Sequence, residues 1–227
     1  MVDLSKMGRG GQITYRKPEQ SLNTEVAELL GLHAGDGYIS CGVWGIRSNL
    51  QDKKMAEQIV FLARNVLGVE PCVRIRQNTY EIRSGQQQAV KFFYDYGFAE
   101  GKKAHTVHVP RQILEADNLE IVKALLKGLF SADGSFSFRK SDYSIRVDLS
   151  VRSKPLRDEF VELCARVGFL FNTCDPIRVK KGFTMRSTGA FFNANLTSRN
   201  CVLAWMERIG THCDAHLRKL EIWRQVN

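Results

Sequence analysis

Apolar residues return every three or four positions along several stretches of the chain. Met55, Ile59, Leu62 and Val66 form one such stripe, and Phe160, Leu163 and Val167 another, the pattern of helices that bury one face. Elsewhere the period drops to two. Val73 and Ile75 alternate with Arg74 and Arg76 on one side of "QNTY", which marks a half-exposed strand entering a hairpin. Taken in order, the pattern predicts short strands at 38–41 and 43–48, a helix in "QDKKMAEQIVFLARNVLGV", a hairpin in "CVRIRQNTYEIRS" and a helix in "QQQAVKFFYDYGF". The same order follows in "SFSFRKSDYSIRVDLSV", "KPLRDEFVELCARVGFL", a longer hairpin across 174–198 and a helix in "RNCVLAWMERIG".

Each series is preceded by an apolar helix pattern that closes on a small residue, an aspartate and a glycine: "ELLGLHAGDGYI" at 28–39 and "ALLKGLFSADGSF" at 124–136. Asp36 and Asp133 stand 97 residues apart, so the chain reads as a duplicated unit of about a hundred residues. The expected organisation is a basic arm at 1–21, a first half at 22–99, a connector at 100–118 containing Pro110, and a second half at 119–227. Asp117 or Asn118 is placed to cap the helix that opens the second half.

Within the two motifs Gly31 and Gly35, and Gly128 and Ala132, are spaced four apart. Residues at that spacing share one helical face, and their missing side chains let two backbones approach. Glycine inside a helix costs about 1 kcal/mol relative to alanine, which close packing of the two motif helices would offset. Each helix is expected to stop at its Asp-Gly step, with glycine taking a left-handed turn. Packing the helices then brings Asp36 and Asp133 together at one end, facing the negative poles of both helix dipoles. A hard divalent cation would relieve that repulsion, and a cation held by carboxylates beside a phosphodiester can orient water and stabilise the leaving oxygen.

"LLGLHAGDG" at 29–37 and "LLKGLFSADG" at 125–134 resemble the two signature motifs of the LAGLIDADG homing endonucleases, and "KKAHTVHVPRQI" resembles the connector often found before the second. The likeness extends over roughly residues 22–222. It implies an α+β fold of two pseudo-twofold related αββαββα halves, with saddle-shaped antiparallel sheets astride DNA and the motif helices at their interface. It further implies a monomer that hydrolyses both strands of a long duplex site, leaving short 3′ overhangs, with Mg²⁺ (Mn²⁺ substituting, Ca²⁺ binding without supporting cleavage). Carried over by position, Asp36 and Asp133 are the metal-binding acids, with Gly35 and Ala132 beside them in the metal site. Polar partners at the end of the second strand match Asn49 or Gln51 and Arg152 or Lys154; a basic residue after the last helix matches Lys102 or Lys103 and, in the second half, Arg218 or Lys219. His33, Ala34 and Ser131 depart from the aliphatic and acidic residues usual in the motifs. A non-cleaving nucleic-acid binder of the same fold, either an RNA-splicing maturase or a transcription regulator, is the alternative.

Charge supports a polyanionic partner: 33 Lys and Arg against 24 Asp and Glu leave a formal +9, which suits nucleic acid. The strand faces supply the side chains for it. Arg47, Arg74, Arg76, Gln77, Glu81 and Arg83 are the candidates in the first half; Arg139, Lys140, Arg146, Asp148, Arg178, Lys180, Lys181 and Arg186 are those in the second. Arginine reads guanine while other basic residues neutralise phosphates, and the longer hairpins of the second half predict an asymmetric target. Six cysteines at irregular spacing without a Cys-x-x-Cys pair read as reduced core residues. His105 and His108, and His212 and His216 around Cys213, have zinc-like spacing but no complete ligand set. No apolar run suggests a signal peptide or membrane span, so the protein is expected in the cytoplasm or wherever host DNA resides, intron-encoded like many of its kind. The Met start and the missing His-Asn ending argue against a self-splicing intein.

Overall fold

The protein is described from a computed structural model over residues 21–139, 141, 144–175 and 191–225. The basic arm before residue 21, Lys140, and the hairpin residues Arg178, Lys180, Lys181 and Arg186 lie outside the described residues. The first half runs α1 (Thr24–Asp36), β1 (Gly37–Ser40), β2 (Val43–Asn49), α2 (Lys53–Leu67), β3 (Cys72–Arg76), β4 (Thr79–Ser84) and α3 (Gln87–Asp95). A one-turn helix α4 (Arg111–Leu114) sits in the connector. The second half repeats the order as α5 (Leu119–Asp133), β5 (Gly134–Arg139), β6 (Ser144–Val151), α6 (Lys154–Arg166), β7 (Asn172–Cys174), β8 (Phe192–Leu196) and α7 (Arg199–Arg208), then adds α8 (Asp214–Gln225).

Local chemistry sets the helix starts. The Asn23 side chain accepts from the Val26 amide at 2.9 Å to open α1, and Asn118 does the same for α5 through Glu120, each satisfying an amide that the first turn leaves without a partner. Each half folds its four strands into an antiparallel sheet, in the orders β1-β2-β4-β3 and β5-β6-β8-β7. The registers match: Gly37 lies opposite Ile46 and Ile46 opposite Ile82, while Gly134 lies opposite Leu149 and Leu149 opposite Ala194. Alternation follows from that register. Ile39, Trp44, Ile46 and Ile82, and in the second sheet Phe136, Val147, Leu149 and Ala194, are buried toward the helices, leaving the intervening residues on the outer faces.

The motif helices α1 and α5 run side by side, with Leu29, Leu30, Leu32, Leu125, Leu126 and Leu129 buried around them. A Cβ on Gly31 would lie 2.2 Å from the Leu125 carbonyl oxygen, and one on Gly128 would lie 2.2 Å from the Glu28 carbonyl oxygen. These two clashes mirror one another across the interface, so glycine here is a requirement of backbone approach. The expected left-handed turn at the helix ends is corrected: Gly37 (φ −79°, ψ 160°) and Gly134 (φ −76°, ψ 169°) are extended. What excludes a side chain at these positions is crowding by the preceding turn, since a Cβ would meet the His33 ring at 2.2 Å or the Phe130 ring at 2.1 Å.

Helix α8 returns to the first half. Asp52 stands at the N-cap of α2 without capping its own helix; its carboxylate instead accepts from the Ala215 amide of α8 at 3.1 Å. Asp214, the first residue of α8, reciprocates by accepting from the Lys54 amide of α2 at 3.3 Å. Each helix is thus capped by the other's acid. His216 on α8 donates from Nε2 to the Gly134 carbonyl at 3.0 Å and accepts from the Thr211 hydroxyl at Nδ1, also at 3.0 Å; burial pushes its pKa down to about 4. Midway along the motif helices Glu28 accepts from Gln58 at 2.6 Å and pairs with His212 at 2.9 Å and Lys127 at 3.6 Å. Burial alone would raise its pKa, but these partners hold it below the usual value.

Candidate active site

Because Gly35 meets Ala132, whose Cβ is 2.5 Å from where a Gly35 Cβ would stand, the last turns of α1 and α5 almost touch. That proximity places an Asp133 carboxylate oxygen 3.4 Å from the same point. Both acids open on a cleft of about 870 Å³, lined by Gly35, Asp36, Tyr38, Arg47, Lys102, Lys103, His105, Asp133, Ser150, Arg152 and Phe191 among others. Lys103 reaches in from the connector. Its ammonium donates to the Gly35 carbonyl at 2.6 Å and to that of Ala34, the negative pole of α1.

Electrostatics mark this point as strained. Burial and the neighbouring Asp133 push the Asp36 pKa up to about 7, with Lys103 opposing. Asp133 is also raised by burial against the pull of Lys103. Burial lowers Lys103 to about 8 although both acids favour its charge. Beneath the cleft His33 is fully buried and kept neutral by burial and by the Lys103 charge; it accepts from Trp44 Nε1 at 3.2 Å and stacks on Phe93. Two carboxylates beside the Gly35 carbonyl oxygen, all hard donors already drawing a cationic side chain, form a set that fits a divalent cation.

Residues 120–184 match the model of the LAGLIDADG-like domain. The fold resembles that of the homing endonuclease I-DmoI in complex with DNA and Ca, with a TM-score of 0.55 and 17% identity over 89% of this chain and 99% of that one. The chain carries the LAGLIDADG fold in its single-chain, two-motif form. The N-terminal LAGLIDADG domain of DUF199/WhiA is similar as well (TM-score 0.51, 15% identity, 85% of this chain and 86% of that one). Among curated sequences the chain is 24% identical over 212 residues to replication factor C small subunit of Methanocaldococcus jannaschii, and 26% identical over 234 residues to the tRNA-splicing ligase RtcB of Pyrococcus abyssi. These alignments take in 92% and 93% of the chain but 11% and 24% of those relatives.

Within this LAGLIDADG scaffold, Asp36, Asp133, Gly35, Lys102, Lys103, Arg47 and Arg152 all line the cleft. Others fall elsewhere. Asn49 is exposed and spends its side-chain oxygen on the Gln51 amide at 2.9 Å, and neither lines the cleft; they lie where β2 leaves the sheet for α2. Lys154 is at the first turn of α6 and pairs with Asp158 at 2.6 Å. Arg218 and Lys219 belong to α8 and are not in the cleft wall. On the outer sheet faces Arg74, Arg76, Arg139 and Arg146 are exposed, Arg83 is half-buried, and Gln77 occupies the β3–β4 turn with φ 45°. Asp148 is held by Arg146 at 2.9 Å. Glu81 is corrected from an exposed reader to a buried acid, 2% exposed. It accepts from the Tyr38 hydroxyl at 3.0 Å and pairs with Arg47 at 3.4 Å, and these partners bring its pKa down against the opposing effect of burial.

Tyr38 and Ser150 line the cleft and were not singled out by sequence. Tyr38 lies flat across β2 because Gly45, its cross-strand partner, has no side chain; a Cβ there would meet the ring at 2.6 Å. An aromatic immediately after the motif glycine Gly37, with Gly45 opposite, is the signal that could have found it. His212 and His216 have separate partners, Glu28 and Gly134, so their spacing creates no shared ligand point. Among the described residues no helix is long and apolar enough to cross a membrane.

Proposed function

We propose that the protein is a monomeric, site-specific DNA endonuclease that uses Asp36 and Asp133 with a divalent cation, Mg²⁺ foremost, to hydrolyse both strands of an asymmetric duplex. The observation that carries this reading is the meeting of two raised-pKa aspartates and Lys103 at the ends of the glycine-packed helices, in a cleft continuous with two polar sheet faces. Asp36, Asp133 and the Gly35 carbonyl would hold the cation, with Ala132 alongside. When bound it would polarise the phosphodiester and supply an activated water. Arg47 on one wall and Arg152 on the other place positive charge where a phosphate would lie, and Arg152 is braced over the Phe191 ring at 5.3 Å. Glu81 fixes the approach of Arg47. Lys103 offsets the two acids at the helix ends and keeps Asp36 partly ionised near neutrality.

The two curated relatives bear unrelated names, and the chain covers 11% and 24% of them, which supports a transferable module. A binder that holds DNA without cutting is the second reading, favoured because the fold is about as similar to WhiA as to I-DmoI. The deciding experiment incubates the protein and its Asp36→Asn and Asp133→Asn variants with a randomised duplex library in Mg²⁺ or Ca²⁺, then sequences the ends produced. Defined 3′-overhanging ends that require Mg²⁺ and vanish in either variant support the nuclease; retained but uncut DNA in every metal supports the binder.

A further inference from the structure

The matched registers allow a residue-by-residue comparison of the two outer sheet faces, which adjoin the same cleft through Tyr38 and Arg47 on one side and Ser150 on the other. One row out from the motif glycine the first sheet reads Tyr38, Gly45, Arg83 and Cys72; the second reads Ser135, Asp148, Asn195 and Asn172. Arg83 and Asn195 therefore occupy equivalent places in the internal repeat. On the other side of the glycine row, Arg47, Glu81 and Arg74 correspond to Ser150, Asn193 and Cys174. The first face is built on guanidinium groups around a buried acid, whereas the β7–β8 pair presents the amides Asn172, Asn193 and Asn195.

These amides sit on a braced strand pair. The Ser150 hydroxyl donates to the Asn193 side-chain oxygen at 2.6 Å, which leaves the NH₂ group and a second lone pair available. From the core side the buried Arg157 donates to the Asn193 carbonyl at 3.3 Å and to the Asp175 carboxylate, just past β7, at 2.8 Å. Arg83 lies near Glu81, and its charge is among those that hold the Glu81 pKa down.

In the major groove a guanidinium pairs with the O6 and N7 acceptors of guanine, and a primary amide pairs with the N6 donor and N7 acceptor of adenine. We infer that Arg83 and Asn195 are symmetry-related specificity residues, the first reading guanine in one half-site and the second reading adenine at the mirror position of the other. This rests on the DNA-binding part of the proposed function and not on cleavage. The central part of the target is then unequal in composition, G·C-containing beneath β3–β4 and A·T-containing beneath β7–β8.

The test is a binding selection. The full chain is equilibrated with a randomised duplex library in Ca²⁺, the retained pool is sequenced, and the selection is repeated with Arg83→Asn, Asn195→Arg and the double exchange. The wild type is expected to enrich guanine at one position and adenine at its mirror, each by about 5- to 150-fold over the other bases. Arg83→Asn should shift only the first to adenine, Asn195→Arg only the second to guanine, and the double exchange should reverse the site's polarity. Enrichment that is equal in the two half-sites, or unequal but unmoved by the exchanges, overturns the inference while leaving DNA binding intact. A protein that retains no DNA overturns both. Each exchanged residue lies on the outer face, and the gain of a new base preference by the double exchange is a readout that a misfolded variant would not give.

Discussion

Replacing Gly128 with alanine tests the closeness of the motif helices directly. The new Cβ would begin 2.2 Å from the Glu28 carbonyl oxygen and 2.9 Å from the Leu32 nitrogen, both backbone atoms that no rotamer change can move. Relief requires the helices to separate by about 1 Å, and a gap of that size forfeits a quarter to a half of each dispersion contact across it. Overpacking of this kind costs about 1–3 kcal/mol, and the gain of about 1 kcal/mol from replacing a helical glycine offsets part of it. A backbone-to-backbone clash belongs at the upper end, so the net loss should be about 2 kcal/mol. For a chain of this size that corresponds to about 4–8 °C in Tm. Gly31→Ala makes the mirror clash with Leu125 and should cost the same. Because one opening relieves both clashes, the double variant should lose clearly less than the sum of the two single losses. Thermal and urea denaturation of the three variants measure this. An unchanged or raised Tm in either single variant, or full additivity in the double, would refute the shared-opening argument.

Asp36 carries a folded pKa near 7 against 3.8 in the unfolded chain, so the folded state binds the extra proton. Stability should therefore fall as pH rises from about 4 to 7 and level off above, and Asp36→Asn should remove that decline and stabilise the metal-free protein at pH 8 by about 1–4 kcal/mol. Urea titrations in EDTA at pH 5 and 8 measure the difference; a variant less stable than wild type at pH 8 contradicts it. Lys103→Met should remove the cation beside the paired acids and raise the Asp36 pKa further, which ¹³C-carboxyl NMR titration would detect; a lowered pKa counts against the assigned contact. Asp52→Ala and Asp214→Ala should each cost about 1 kcal/mol, the ordinary worth of a helix cap, and thermal melts that show no loss in either would remove the reciprocal caps from the account. Mg²⁺ added well above its Kd should raise the Tm in proportion to the logarithm of its concentration, and the rise should disappear in Asp133→Asn.

The duplicated order of elements was legible because periodicity switches cleanly between the helical stripe of Met55, Ile59 and Leu62 and the strand alternation at Val73–Arg76. The packed glycines and the paired aspartates were legible from repetition alone. Gly37 and Gly134 were recognised as obligatory but for the wrong reason, since a ring four residues back in the same chain is invisible to a rule about backbone handedness. Glu81 looked exposed because alternation assigns only a face. Its burial comes from Tyr38 and Arg47, which the sheet brings over it from two other strands. The placement of Asn49 and Gln51 depended on where β2 leaves the sheet, and that end is set by register with β4. Asn193 and Asn195 carried no charge to attract notice, yet they hold positions equivalent to those of Glu81 and Arg83.

Reciprocal capping of α2 and α8 also bears on synthesis. Lys54 and Asp214 are 160 residues apart in sequence, so at about 5–20 residues per second the ribosome needs roughly 8 to 30 seconds to supply the acid that α2 awaits. During that interval the first half is on display with one helix end unsealed, and Gly134, once made, lacks its histidine donor until His216 follows. The nascent chain is consequently dependent on its most distal described helix. Premature stop codons late in the message would release a chain that has both aspartates yet leaves α2 without its distal cap and Gly134 without its histidine.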